Sequence, residues 1–252
     1  MKKLLAVLMA LTLVFAFAAC TKQPADTDDD AQKTLIMGTN AAFPPYEFVA
    51  DDGSFAGIDV EIAQAVAEKL GMKLEIKDME FNSLISAVQG GSIDIALAGM
   101  TVTDERKESV NFSDTYAKGV QVVIVKADSA IATVDDLDGK TVGVQAGTTG
   151  DIYCTEDYGQ DNVKQFNNGA LAIQALLNDQ VDCVVIDNEP AKAFVAANEG
   201  LKILDTSYAD EDYAAAIAKE NTELLDSFNK ALAELKADGT IDKIVEKYIN
   251  AD

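Results

Sequence analysis

The chain has no histidine, no tryptophan, only four prolines and three cysteines, and Arg106 is the sole arginine among its 20 basic residues. Without histidine there is no Ser-His-Asp or Cys-His nucleophile system and no histidine-ligated zinc. The 20 basic residues face 43 acidic ones, a net charge of −23. That balance excludes recognition of nucleic acid through its phosphates, which needs clustered Lys and Arg. It reads instead as a soluble acidic surface. What is present is ample: 252 residues, enough for one ordinary domain or two small ones with a proper core.

Met1-Lys2-Lys3 precedes an apolar run over residues 4–19, too short for a membrane span and typical of a secretory signal. The run ends Phe17-Ala18-Ala19-Cys20, which resembles the lipobox of bacterial lipoproteins, although leucine is more usual at the Phe17 position. The resemblance implies cleavage before Cys20 and acylation of its thiol, leaving the protein anchored outside the cytoplasm. Residues 21–33 are polar, acidic and aperiodic, as a flexible tether is. Asp28-Asp29-Asp30 lacks the spaced ligands and glycine of a calcium loop and reads as a solvated charge run. Removing residues 1–19 removes two lysines and no acid, which takes the net charge from −23 to −25. Cys154 and Cys183 remain; Cys183 lies in an apolar run, where cysteine acts as a small buried residue, and a disulfide between the two is left open.

From residue 34 the pattern is α/β. Residues 35–38, 73–77 and 93–97 read as strands, separated by helices marked by Ile62, Ala63, Val66, Ala67 and Leu70, then by Leu84, Ile85 and Val88. A second series follows, with strands over 120–125, 141–144, 163–166 and 181–186 and helices near Gly150, over 171–177 and from Pro190. Two amphipathic helices close the chain, carrying Leu224 to Leu235 and Ile241 to Val245. The expected architecture is two lobes, each a mainly parallel sheet flanked by helices: residues 34–118 plus 214–252, and residues 119–213.

Ligands of open α/β sheets bind beyond the carboxyl ends of the strands. Those ends carry Asn40, Phe43, Phe81, Gly99, Met100, Thr101 and Arg106 in the first series, and Gln145, Thr148, Thr149 and Asp187 in the second. A guanidinium forms a planar fork that matches a carboxylate; a surface arginine paired with Asp104 or Glu105 is the alternative. The Gly147-Thr148-Thr149-Gly150 loop opens a helix and lacks the lysine of a phosphate loop, so a carboxylate suits it better than a phosphate. Asp187 either meets an ammonium or caps a helix. Phe43 and Phe81 either clamp a ligand side chain or fill core.

These segments together resemble the family 3 solute-binding proteins, the polar amino-acid receptors of bacterial ABC importers. The resemblance rests on Gly57-Ile58-Asp59-Val60-Glu61-Ile62, on residues 95–115 (ALAGMTVTDERKESVNFSDTY), on residues 136–150 (DLDGKTVGVQAGTTG) and on residues 237–241. It spans roughly residues 34–250 and implies the two-lobed periplasmic-binding-protein fold, type II, with two hinge strands. It implies that Arg106 grips the ligand α-carboxylate, helped by Thr101 and the backbone at Thr148 and Thr149. Asp187, the Gly99 carbonyl and Thr101 would hold the α-ammonium, and Phe43 and Phe81 would sandwich the side chain. Met100 lies in the same stretch. Asn40 and Gln145 fall where relatives select among side chains. Relatives that bind cationic amino acids often carry aspartate at the Asn40 position, whereas the QAGTTG loop also occurs in arginine binders; selectivity stays open between neutral polar and arginine-like ligands.

The expected protein is a monomeric, lipid-anchored binding protein that needs no cofactor or metal and hands a free polar amino acid to an ABC permease. Two other readings share the fold: an enzyme similar to cyclohexadienyl dehydratases, and a ligand-sensing partner of a membrane receptor. Without histidine, ligand affinity is expected to be nearly flat between about pH 6 and 8.

Overall fold

The computed structural model describes residues 32–249. The signal segment, Cys20 and most of the tether lie outside the described residues. Strand β1 (Thr34–Thr39) leads into a small antiparallel sheet, β2 (Ala42–Phe43), β3 (Glu47–Val49) and β4 (Phe55–Ala56). Helix α1 (Ile58–Lys69), β5 (Lys73–Asp78), α2 (Leu84–Gln89), β6 (Ile95–Ala96), α3 (Asp104–Ser109) and β7 (Val110–Phe112) follow. The chain then enters β8 (Ala117–Lys126), β9 (Val142–Gln145), α4 (Thr149–Tyr158), β10 (Val163–Phe166) and α5 (Gly169–Leu177). Next come β11 (Cys183–Asp187), α6 (Asn188–Ala197) and β12 (Leu201–Tyr213). Strand β13 (Ala216–Ala218) and helices α7 (Thr222–Ala237) and α8 (Thr240–Ile249) end it.

Two five-stranded sheets result, ordered β5-β1-β6-β13-β7 and β10-β9-β11-β8-β12. The helix-connected strands pair in parallel, as a crossover requires: β1 with β5 and β6, β9 with β10 and β11. The sheets are mixed but mainly parallel, as expected: in each, four of the five strands run one way and a single strand, β13 or β8, runs against them. Strands β13 and β7 in one sheet, and β8 and β12 in the other, run antiparallel to their neighbours. They are the strands beside which the chain passes from sheet to sheet: β7 leads directly to β8, and β12 directly to β13.

Helix α1 shows how sequence sets these elements. Ile62, Ala63, Val66 and Ala67 recur at helical spacing and are all buried, while Gln64 and Glu68 bond each other outside. Gly57 is its N-cap, at φ +123°. A Cβ there would stand 2.2 Å from the Tyr46 carbonyl oxygen and 2.9 Å from the Glu47 nitrogen. Gly53 also has positive φ, +82°, but open space around it. Gly57→Ala is therefore expected to cost more than the ~1–3 kcal/mol of backbone strain alone, and Gly53→Ala no more than that strain. Urea unfolding of the two variants checks it; equal losses would contradict the close approach.

Cys154 on α4 and Cys183 on β11 are both buried and unbridged. Burial pushes the Cys183 thiol up to about 12 and raises that of Cys154 as well, so both are protonated packing residues.

Candidate functional site

One cavity, with about 310 Å³ of unfilled space including its mouth, lies between the carboxyl ends of the two sheets. It is lined by Asn40, Phe43, Phe81, Gly99, Thr101 and Arg106 from the first series and by Gln145, Thr148, Thr149 and Asp187 from the second. Ala98 and Glu47 complete the lining. Ten of the eleven residues singled out from sequence thus meet there. Met100 does not, and its placement corrects that expectation. Its side chain is fully buried against Phe81, Leu84, Val88 and Val110, because extended backbone turns it away from the face that Thr101 presents.

Arg106 is buried on α3, which Thr103 caps by accepting from the Arg106 N–H at 3.1 Å. Its guanidinium donates to the Thr101 carbonyl at 2.7 Å and, across the cleft, to the Gly147 carbonyl at 3.0 Å. The Phe81 ring lies 5.3 Å away, in cation–π range. Neither Asp104 nor Glu105 forms an ion pair with it, and Lys107 takes Asp104 at 3.0 Å. The surface-pair alternative is thereby removed. Burial pulls the arginine pKa down and the charge of nearby Glu211 opposes that fall; arginine stays charged regardless.

Asp187 ends β11 as the N-cap residue of α6, but its side chain makes no capping bond. It accepts from the Tyr213 hydroxyl instead. Burial, then the charge of Glu211, raises its carboxyl to about 8. Glu211 itself accepts from Thr101 Oγ1 at 2.8 Å and Gln121 Nε2 at 3.0 Å, both on Oε2. Thr101 therefore spends its proton on Glu211 and keeps lone pairs for an incoming donor.

On the opposite wall Asn40 and Gln145 bond each other across the cleft, Gln145 Nε2 donating to Asn40 Oδ1 at 3.0 Å. Asn40 Nδ2 donates to the Met79 carbonyl. The glycine-threonine loop is held by Asp151, which accepts from the Gly147 N–H at 2.9 Å and from Gln165. Thr148 caps α4, receiving the Asp151 N–H at 3.3 Å. The opening N–H groups of that helix have no intrahelical acceptor; that of Thr148 goes to the Gln145 carbonyl at 3.3 Å, and Thr149 follows it beside the cavity. Gly99, at φ +54°, sits against Phe43, whose ring a Cβ would approach to 2.8 Å, and its N–H is held by Asp59 Oδ2 at 2.8 Å.

Sequence reading missed Glu47, Asp59, Gln121, Glu211 and Tyr213. Asp59 lies inside the quoted Gly57–Ile62 motif, and Glu47 follows Tyr46 directly, so position alone could have flagged these two. Burial, then the charge of Asp59, raises the Glu47 carboxyl well above its ordinary range; burial raises Asp59 to about 7 against the bonds from Tyr116 and Gly99. Asp59 and Asp187 are thus both raised toward neutrality in a chain without histidine. Burial has moved carboxyls into the range histidine would occupy.

A cavity between two α/β sheets, with a guanidinium and carboxyls fixed on its walls, defines a two-lobed solute-binding protein. The model of the bacterial extracellular solute-binding proteins, family 3, matches residues 35–251, and the chain belongs to that family. The arginine-binding extracellular protein ArtP of Bacillus subtilis (strain 168) is 36% identical over 257 residues, covering 100% of each chain. A solved ancestral arginine-binding protein bound to arginine is 45% identical, with a TM-score of 0.82 over 86% of this chain and 99% of that one. A structure of an ancestral arginine-binding protein bound to glutamine is 44% identical, with a TM-score of 0.83 over 86% and 98%.

Proposed function

We propose that this protein binds a free amino acid with a cationic side chain, arginine foremost, between its lobes and delivers it to an ABC permease. One observation carries the reading. A single buried guanidinium, Arg106, shares the cavity with two buried acids, Asp187 and Glu47, and Glu211 lies just behind. A zwitterion loses much hydration on enclosure and needs a fixed partner for each charge. Arg106 and the α4 N–H groups serve the α-carboxylate; Asp187, Thr101 and the Gly99 carbonyl serve the α-ammonium. Glu47, its carboxyl raised by burial and by Asp59, is then left to accept hydrogen bonds from the donors of a positive side chain, and Phe43 and Phe81 flank its aliphatic stem. The relatives named for arginine support this choice. Asn40 does not oppose it, because its amide is held by Gln145 and Met79 rather than standing alone.

Residues 34–118 with 214–252 form one lobe and 119–213 the other, with β8 and β12 as the hinge strands. Closure excludes water and strengthens both charge contacts, so open and closed states differ in affinity and ligand drives closure. The protein acts as a monomer and catalyses nothing. A thermal-shift screen of the common amino acids tests the ligand class. At a hundred times Kd the bound state gains about 2.7 kcal/mol. L-arginine is expected to give the largest rise; a larger rise with a neutral or acidic amino acid would overturn the cationic choice.

The mature chain begins at an acylated Cys20 and stays on the outer side of the cell membrane, residues 21–33 acting as a tether. Cys20→Ser is expected to move the protein to the soluble fraction. Persistent attachment that requires detergent for release would contradict the anchor.

A further inference from the structure

The Gly57–Ile62 motif holds a fully buried acid, Asp59, that does not line the cavity. It stands in the first turn of α1, where a carboxylate ordinarily faces solvent and meets the free N–H groups of its own helix. Here its backbone N–H goes to the Tyr46 carbonyl at 2.9 Å, and its side chain turns inward. It belongs to no ion pair among the described residues. Burying an acid without a cation is costly, and hydrogen bonds must offset the cost. Both of its bonds end on one oxygen, Oδ2, which accepts from the Gly99 N–H at 2.8 Å and from the Tyr116 hydroxyl at 2.6 Å. The other oxygen, Oδ1, receives none.

The bond to Gly99 reaches the cavity wall. Gly99 is held at φ +54°, a conformation natural to glycine, and Phe43 stands 2.8 Å from where a Cβ would be. One residue on, the Met100 carbonyl accepts from the Ala214 N–H at 3.1 Å. The Gly99 carbonyl thus lies between two pinned groups, beside the cavity. Tyr116, the second donor to Asp59, is itself fixed just before β8 begins, its N–H donating to the Tyr213 carbonyl at 2.9 Å. Glycine has more backbone freedom than any other residue, and a carbonyl that swings is a poor partner for an ammonium. A buried bond to the same residue removes that freedom in advance, so binding has less left to order.

We infer that Asp59 is a positioning residue for the ligand α-ammonium: by holding the Gly99 N–H it keeps the Gly99 carbonyl aimed into the cavity. The inference rests on the amino-acid-binding reading and extends it to a residue that touches no ligand. Removing the acceptor frees the Gly99 peptide and weakens the ammonium contact. The carboxylate end is spared, because Arg106 and the Thr148 turn are held by other partners. Asparagine preserves the arrangement. Its oxygen can accept both donors, and its amide takes the place of Oδ1, an atom with no bond to lose.

The test compares L-arginine with δ-guanidinovaleric acid, which is arginine without its α-amino group, by calorimetric titration of wild type, Asp59→Ala and Asp59→Asn. The ratio of the two affinities reports the ammonium contact alone. It is expected to fall about tenfold or more in Asp59→Ala, as when a hydrogen bond to a charged group is lost, and to stay within about threefold of wild type in Asp59→Asn. A merely structural role would lower both affinities alike and leave the ratio where it was. An unchanged ratio in Asp59→Ala, or a ratio lost equally in Asp59→Asn, overturns the inference while leaving the binding reading intact. Should Asp59→Ala fail to fold, the ratio in Asp59→Asn and hydrogen exchange of the wild-type Gly99 amide decide. A retained ratio with an amide protected before ligand is added supports the inference; a lost ratio or a freely exchanging amide overturns it. If L-arginine does not bind, the best-binding amino acid of the thermal screen and its deaminated analogue replace the pair; if none binds, the binding reading falls and this inference with it.

Discussion

Replacing Arg106 with alanine is expected to weaken amino-acid binding by about 30-fold to several thousand-fold. The range follows from the roughly 2–5 kcal/mol lost when one partner of a buried charge pair is truncated, at about 1.4 kcal/mol per tenfold. The lower figure applies if the Thr148–Thr149 end of α4 keeps part of the carboxylate contact. Two of the guanidinium bonds already go to the Thr101 and Gly147 carbonyls, which fix its plane on both sides of the cleft. Its remaining N–H groups are thereby aimed rather than searching, and little rotamer entropy is lost on binding. Arg106→Lys keeps the charge but not the fork or the stacking on Phe81, and is expected to bind much more weakly than wild type. Affinities by calorimetry, beside the thermal stability of the ligand-free variants, check both. Unchanged affinity in Arg106→Ala would remove Arg106 from its role.

Asp187→Asn should separate binding from folding. A carboxyl raised from 3.8 to about 8 favours the folded state when protonated. Its stabilising effect is complete below the unfolded value and is lost progressively as pH climbs from about 4 to 8. Asparagine resembles the protonated acid: its oxygen still accepts from Tyr213, and its amide can donate to Glu211. The ligand-free variant is therefore expected to unfold at about the same temperature as wild type at pH 4 and at a higher one at pH 8. Binding, in contrast, loses the negative partner of the ammonium and is expected to fall by at least tenfold. Thermal melts at both pH values and one titration at pH 7 check this. A variant that melts lower at pH 8 would show that the ionised carboxylate, rather than the protonated one, supports the fold.

Much of this architecture can be read from apolar spacing. The helices α1, α5 and α7 bury apolar stripes and the strands β1 and β11 bury apolar runs, so their pattern is visible. Strand β12 is not visible because Asp205, Asp210, Glu211 and Asp212 interrupt any alternation and suggest a loop. It forms anyway because it pairs along β8, a long-range contact that local pattern does not encode. The same strand hides Glu211 and Tyr213, two of the residues that set the electrostatics around Asp187. The short sheet β2-β3-β4 escapes notice for a different reason, since strands of two or three residues have no period to detect.

At the site, strand-end positions located the lining well, because the topology of an open sheet dictates where its loops converge. Met100 was included by adjacency and excluded by alternation. The shifted acidity of the carboxyls was out of reach of composition. Counting histidines suggests a site indifferent to pH, but burial of carboxyl against carboxyl depends on which side chains the fold brings together.

The most direct measurement of the central claim is a calorimetric titration of the mature, ligand-stripped protein with L-arginine, alongside L-glutamine and L-glutamate. One site per chain is expected, filled by L-arginine more tightly than by L-glutamine, with L-glutamate weakest because its side-chain carboxylate would face Glu47. A preference for L-glutamate over L-arginine, or no heat with any of the three, would contradict the account.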